Sequence, residues 1–143
     1  MGPKNDATQI FQILFNLYSS HVFLILKELL SDQCLSMKEL VAVTLLVNDM
    51  KDFSEINQEY ITYFGKNPPI RVCVEAPIGN NKIALSAIGF HDLEKKISTM
   101  HVQSISHWAP ANIGPYSQAN MVDGILHIAG QIGLIPGSVF SRI

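Results

Sequence analysis

The sequence Asn67-Pro68-Pro69-Ile70-Arg71-Val72-Cys73-Val74-Glu75 holds the punctuation on which the reading of this chain turns. Two consecutive prolines carry no amide hydrogens, so they stop any helix that runs into them, and residues 71–75 continue as an extended, β-prone segment. Upstream, Phe53, Ile56, Asn57, Tyr60 and Phe64 recur at helical spacing, with Asp52 or Ser54 near the start and Gly65 at the end, which predicts a helix immediately before the prolines. Residues 40–47 form a nearly unbroken apolar, β-branched run closed by Asn48-Asp49, the pattern of a strand buried on both faces and central in a sheet. Downstream, residues 83–88 predict another strand, joined to the arginine strand through Ala76-Pro77-Ile78-Gly79-Asn80-Asn81 as a hairpin or a near neighbour of one.

Working outward, residues 7–30 place Ile10, Ile13, Leu14, Leu17, Phe23, Leu24 and Leu30 at mostly helical intervals behind Asp6, and predict one long amphipathic helix. Residues 91–98 are polar and charged and supply the candidate linker. Beyond it, residues 102–107, 117–122 and 125–134 read as three short strands, the last two joined by an Asp123-Gly124 hairpin turn. The expected organisation is a first unit over residues 1–90, a linker over 91–100 and a second unit over 101–143.

Composition narrows the function classes. A chain of 143 residues that is 48% hydrophobic has enough apolar content for one compact core. Ten basic against twelve acidic residues, with no basic cluster longer than Lys95-Lys96, give no field that recruits nucleic acid. Cys34 and Cys73 form no CxxC pair and are too few for a disulfide framework, so free thiols are expected. The apolar stretch at residues 10–30 is interrupted by Gln12, Asn16, His21, Lys27 and Glu28, and is read as neither a membrane span nor a signal peptide. Five histidines show no metal-ligand spacing, so no metal is expected. A cytoplasmic location follows as the expectation.

A second motif lies later in the chain: Ile113-Gly114-Pro115-Tyr116-Ser117-Gln118-Ala119, followed by Ala129-Gly130-Gln131-Ile132. With Asn67 to Val74, these segments resemble the Rid family of small trimeric enamine and imine deaminases. There the tyrosine motif opens the domain and the arginine motif lies near its end; here the order is inverted. The resemblance spans about residues 7–90 and 101–135. It implies an α+β, chorismate-mutase-like fold, a mixed sheet packed by two helices, with its elements in circularly permuted order: the back half of one Rid-like domain joined to the front half of the next. Ten residues, 91–100, reach about 33 Å when extended, so the halves are able to close into one permuted domain. They are equally readable as truncated halves that never close.

The tandem order further resembles the diphthine-ammonia ligase family, in which two Rid-like modules follow an ATP-pyrophosphatase domain. That resemblance implies a parent that amidates diphthine on elongation factor two, making this factor a partner through the parent. No Gly-x-x-x-x-Gly-Lys-Ser/Thr loop stands in this sequence, so ATP is expected only for a full-length parent and no cofactor for this chain.

The site residues follow from the same resemblance. Arg71 matches the family arginine that grips a substrate carboxylate, a role its planar donors suit. Tyr116 matches a pocket-lining tyrosine, Gly130 a glycine whose amide approaches the ligand, and Asn57 a further pocket position on the helix. Cys73 shares the Arg71 face by strand alternation and either lines the pocket or serves as a small core hydrophobe. Two departures argue against catalysis. Ala129 replaces the family serine, and Ser86, in Ser86-Ala87-Ile88-Gly89, stands where the catalytic glutamate is expected; a serine without a base does not activate water. Glu75 falls on the Arg71 face and does not restore that group. The expected function is a non-catalytic, trimeric module for oligomerisation or small-ligand binding, the ligand being a small carboxylate or imine. A working imine deaminase is the alternative, and an endoribonuclease ranks last for want of a basic surface.

Overall fold

The computed structural model of the chain describes residues 10–17, 21–90, 97–104, 106–108 and 111–137. Its elements run β1 (Ile10–Leu17), α1 (Val22–Asp32), β2 (Leu40–Val47), α2 (Phe53–Tyr63), β3 (Ile70–Glu75), β4 (Ile83–Phe90), β5 (Ser98–Met100), β6 (Ala119–Val122) and β7 (Ile125–Ile128). The first four strands make a sheet of order β1-β4-β2-β3, and the last three make a second sheet of order β5-β6-β7. The larger sheet is mixed, because β2 runs parallel to β3 and antiparallel to β4. The fold is α+β.

Alternation along the strands decides where the core lies. Val43, Leu45 and Val47 of β2, with Ile83, Leu85 and Ala87 of β4, point to one face and pack against Val22, Phe23, Leu26 and Leu30 of α1 and Ile56 and Tyr60 of α2. Phe23 meets Tyr60 edge-on at 5.4 Å between ring centroids, which ties the two helices together. The connection between α1 and β2 ends in a capping box. Ser36 Oγ accepts from the Lys38 amide, and the Glu39 carboxylate accepts from the Ser36 amide at 2.7 Å.

Three sequence expectations are corrected. The long helix over residues 7–30 is instead β1 followed by α1. Residues 10–17 pair antiparallel with β4 over eight positions, from Ile10 opposite Phe90 to Leu17 opposite Ile83. The β-branched and aromatic residues Ile10, Phe11, Ile13 and Phe15 suit that role, and a non-local ladder outweighs helical spacing of the apolar positions. The part of that expectation over residues 7–9 and 18–20 lies outside the described residues. Second, β3 and β4 are not a hairpin, because β2 lies between them. Both ends of their connection fasten to the end of β2: the Ala76 amide donates to Val47 O and the Asn48 amide to Lys82 O.

Third, residues 102–104 and 106–108 belong to no strand, while β5 lies at Ser98–Met100 within the expected linker. The Gln118 side chain explains the break: its carbonyl accepts from the Val102 amide at 2.9 Å and its amide donates to Val102 O at 2.7 Å. Both backbone groups of Val102 are thereby satisfied, and the ladder goes no further. Likewise β7 stops short of residue 134: the Ala129 amide still donates to Gln118 O, in register with β6, but the Gly130 amide leaves the ladder for Arg71 O. The rest of the expected linker, residues 91–96, lies outside the described residues. The Asp123-Gly124 turn is as expected, with φ of 53° and 78°, the left-handed pair that a tight hairpin requires.

The two sheets meet at β3 and at the start of β2. Ile70 and Ser117 form a parallel bridge, the Ser117 amide donates to Pro69 O at 3.2 Å and its hydroxyl to Pro68 O at 2.6 Å. A register shift between Leu40 and Ala42 sets Val41 apart from the helix-facing row, and it packs with Phe90 and Val122 in a cluster bridging the sheets. Asn120, buried at 2% exposure, donates to Val41 O at 2.9 Å. Asn120→Ala removes that buried bond, so a loss of about 0.5–1.5 kcal/mol is expected in denaturant unfolding. Amide exchange should rise first in β6 and β7, with β2 and β4 still protected.

Candidate ligand site

Helical spacing on α2 puts Phe53, Asn57 and Tyr60 on one face, and β3 presents Arg71 and Cys73 toward it. Arg71 lies opposite Val43 and Cys73 opposite Leu45, so both point to the helix side of the sheet. The guanidinium carbon sits 4.7 Å from the Tyr60 ring centroid, 5.3 Å from that of Tyr116 and 5.6 Å from that of Phe53. Rings at these distances attract the cation through their negative faces. Arg71 is 3% exposed, and among the described residues neither Nη1 nor Nη2 has a hydrogen-bond partner. Burial pulls its pKa below the ordinary value, with Tyr60 and Cys73 pulling the other way.

The turn carrying Tyr116 closes over this cation. Its amide donates to Gly114 O at 2.9 Å, its carbonyl accepts from the Asn112 side chain, and Ser117 is anchored to Pro68 and Pro69. Gly114 is where the turn comes closest. A Cβ there would lie 2.6 Å from Arg71 Nη2 and 3.3 Å from Asn57 Oδ1, so glycine is required by proximity. Asn57 Oδ1 is buried and unpartnered as well, and so is the Tyr60 hydroxyl, whose pKa burial raises.

Beside the arginine lies a cavity of about 360 Å³ lined by Met50, Phe53, Val72, Val74, Ile113 and Ile132, together with Arg71, Cys73, Tyr116, Gly130 and Gln131. Four of the five residues singled out from the sequence thus share one cavity wall. Asn57 does not line it; its side-chain amide, like Arg71 Nη2, lies close to Gly114. The Gly130 amide is engaged with Arg71 O at 3.1 Å, so this glycine fixes the cavity wall to β3 and does not offer its N–H to a ligand. Cys73 is partly buried, and burial raises its thiol pKa, with Arg71 opposing.

Phe53, Tyr60 and Gly114 were not singled out from the sequence as site residues. The i, i+4, i+7 spacing of Phe53, Asn57 and Tyr60 is the signal that reports the first two. Ser86 lies elsewhere. It pairs with Thr44, and Thr44 with Val72, whereas the Arg71 row continues through Val43 to Ala87. Ser86 therefore points to the opposite face of the sheet from Arg71. Glu75, on the Arg71 face, accepts from the Met50 amide at 2.8 Å.

The family model for endoribonuclease L-PSP matches residues 2–85. This chain belongs to that family, the Rid family of the motif comparison. It is 46% identical over 113 residues to a diphthine--ammonia ligase of Schizosaccharomyces pombe, covering 78% of this chain and 18% of that protein. It is 32% identical over 138 residues to the diphthine--ammonia ligase of Saccharomyces cerevisiae, covering 85% of this chain and 20% of that protein. The chain spans about a fifth of the length of these two curated relatives. A shorter stretch of 30 residues is 63% identical to the 2-iminobutanoate/2-iminopropanoate deaminase of Mus musculus, covering 21% of this chain and 22% of that protein.

The two thiols provide a direct check on the cavity wall. Iodoacetamide at mildly alkaline pH should modify exposed Cys34 readily and Cys73 at least tenfold more slowly, since burial both blocks Cys73 and keeps it protonated. Peptide mapping by mass spectrometry reads the two rates, and equal rates would mean that Cys73 is not in the wall described.

Proposed function

We propose that this chain is a Rid-like module of a diphthine-ammonia ligase that binds a small carboxylate at Arg71 and does not hydrolyse it. One observation carries the binding reading: a guanidinium 97% buried by its 3% exposure, facing three aromatic rings, with both terminal nitrogens unpaired. A buried cation without an anion is costly, and a carboxylate meets the two nitrogens with two parallel charge-assisted hydrogen bonds. Similarity to two ligases across most of this chain supports the parent assignment. In that reading diphthine on elongation factor two and ATP belong to the whole ligase, the module contributes assembly as a trimer, and the protein works in the cytoplasm.

Absence of hydrolysis rests on geometry around the arginine. Activating water needs a base near the anchored substrate. Ser86 is on the other sheet face, and Glu75 already holds the Met50 amide. The second reading, an imine deaminase, is favoured by the short match to the mouse deaminase.

Propanoate titrated into the chain and followed by amide NMR should bind weakly, and Arg71→Ala should weaken it more than tenfold, since hydrogen bonds to charged groups contribute roughly 1.5–3 kcal/mol. An unchanged affinity in Arg71→Ala would remove the site. Ammonia release from freshly generated 2-aminoacrylate separates the two functions: the wild-type chain is expected to show none above background. The Ser86→Glu, Ala129→Ser double variant should also stay silent, because the new carboxylate faces away from Arg71 within the chain. Turnover by the wild type would establish the deaminase.

A further inference from the structure

The cavity beside Arg71 has one cation in a largely apolar wall, and that imbalance speaks to what fills it. Met50, Ile113 and Ile132 line the cavity together with Phe53, whose ring also faces the guanidinium, and Val72 and Val74 line it from β3. Ile113, Val74 and Ile132 are 38%, 43% and 55% exposed, large apolar surfaces facing solvent at the mouth of the cavity. Cys73, also in the wall, has its thiol pKa raised by burial, which favours the neutral form. A volume of about 360 Å³ is at the small end of the range of ligand pockets, yet exceeds what a two- or three-carbon acid fills.

The acidic residues near Met50 lie outside the cavity wall. Met50 is fixed by its amide's bond to the Glu75 carboxylate at 2.8 Å, and Asp49 and Asp52 flank it in the chain. Asp49 is ion-paired at 3.5 Å with Lys51 and hydrogen-bonded to its amide; Glu75 has no ion pair among the described residues. Among the described residues that line the cavity there is no second cation, so a second anionic group on a ligand held by Arg71 would lose water without gaining a partner.

We infer that the Arg71 site selects a monocarboxylate with an apolar body of about four to nine carbons, branched or aromatic, with Ile113, Ile132, Met50 and Phe53 as the residues that determine its length and shape. The inference rests on the carboxylate-binding reading and deepens it. Arg71 supplies orientation and the apolar wall supplies discrimination. Burying each methylene stabilises by about 0.8 kcal/mol, so affinity climbs about fourfold per added carbon until the wall is covered.

The test is a series of unreactive acids titrated into the full chain and read by amide chemical shifts: acetate, butanoate, 4-methylpentanoate, 3-phenylpropanoate and glutarate. Affinity is expected to rise at least thirtyfold from acetate to 4-methylpentanoate, with 3-phenylpropanoate comparable and glutarate at least tenfold weaker than either. Ile132→Ser and Ile113→Ser, both at exposed positions that leave the core intact, should flatten the rise from acetate to 4-methylpentanoate. If all acids bind equally and Arg71→Ala abolishes them all, the carboxylate site stands and the apolar-body inference is overturned. Glutarate binding as tightly as 4-methylpentanoate overturns it too. If no acid binds the wild-type chain at any length, the carboxylate site itself falls and takes this inference with it.

Discussion

A guanidinium without an anion sits between three aromatic rings, and much of the architecture is arranged around it. The cost of removing an Arg⁺ from water is offset in part by the ring faces of Tyr60, Tyr116 and Phe53. Those rings come from different parts of the chain. Phe53 and Tyr60 are held by α2 against the larger sheet, whereas Tyr116 arrives on a turn leading into the smaller one. Close approach of that turn depends on Gly114, and its anchoring on Ser117 bonded to the Pro68 and Pro69 carbonyls. The prolines thus have two roles: they terminate the helix segment and they leave carbonyls pointing outward for the second half of the chain.

The Arg71 strand, the α2 helix and the Asp123-Gly124 turn were legible in the sequence because each depends on local chemistry: proline punctuation, helical spacing, and residues tolerant of positive φ. The strand at Ile10–Leu17 was not. Its apolar spacing imitates a helix, and only β4, more than sixty residues away, reveals that these residues complete a ladder. The early end of the strand expected after residue 101 was hidden for a similar reason, since nothing in residues 102–107 says that Gln118 will satisfy both backbone groups of Val102. Arg71, Cys73, Tyr116 and Gly130, singled out in the sequence, line one cavity. The Gly130 amide is engaged by Arg71 O, and Asn57 stands outside the cavity wall. Ser86 was legible as a missing carboxylate, but which sheet face it occupies followed only from register.

The seam between the two sheets is made largely of main-chain bonds: Ser117 to Pro69, Gly130 to Arg71, and the Ile70–Ser117 bridge. Such bonds are indifferent to side-chain identity, so the seam recognises backbone shape and leaves Asn120 and the small Val41, Phe90 and Val122 cluster to supply selectivity. Interchangeability follows. Any three-stranded segment with the same turn geometry and an amide at the Asn120 position is an acceptable complement to the first sheet, whether it comes before it in a chain, after it, or from another molecule. Duplicated modules built on such a seam can therefore exchange halves while their surfaces diverge, because the sequence changes that accumulate elsewhere do not touch the bonds that hold the halves together.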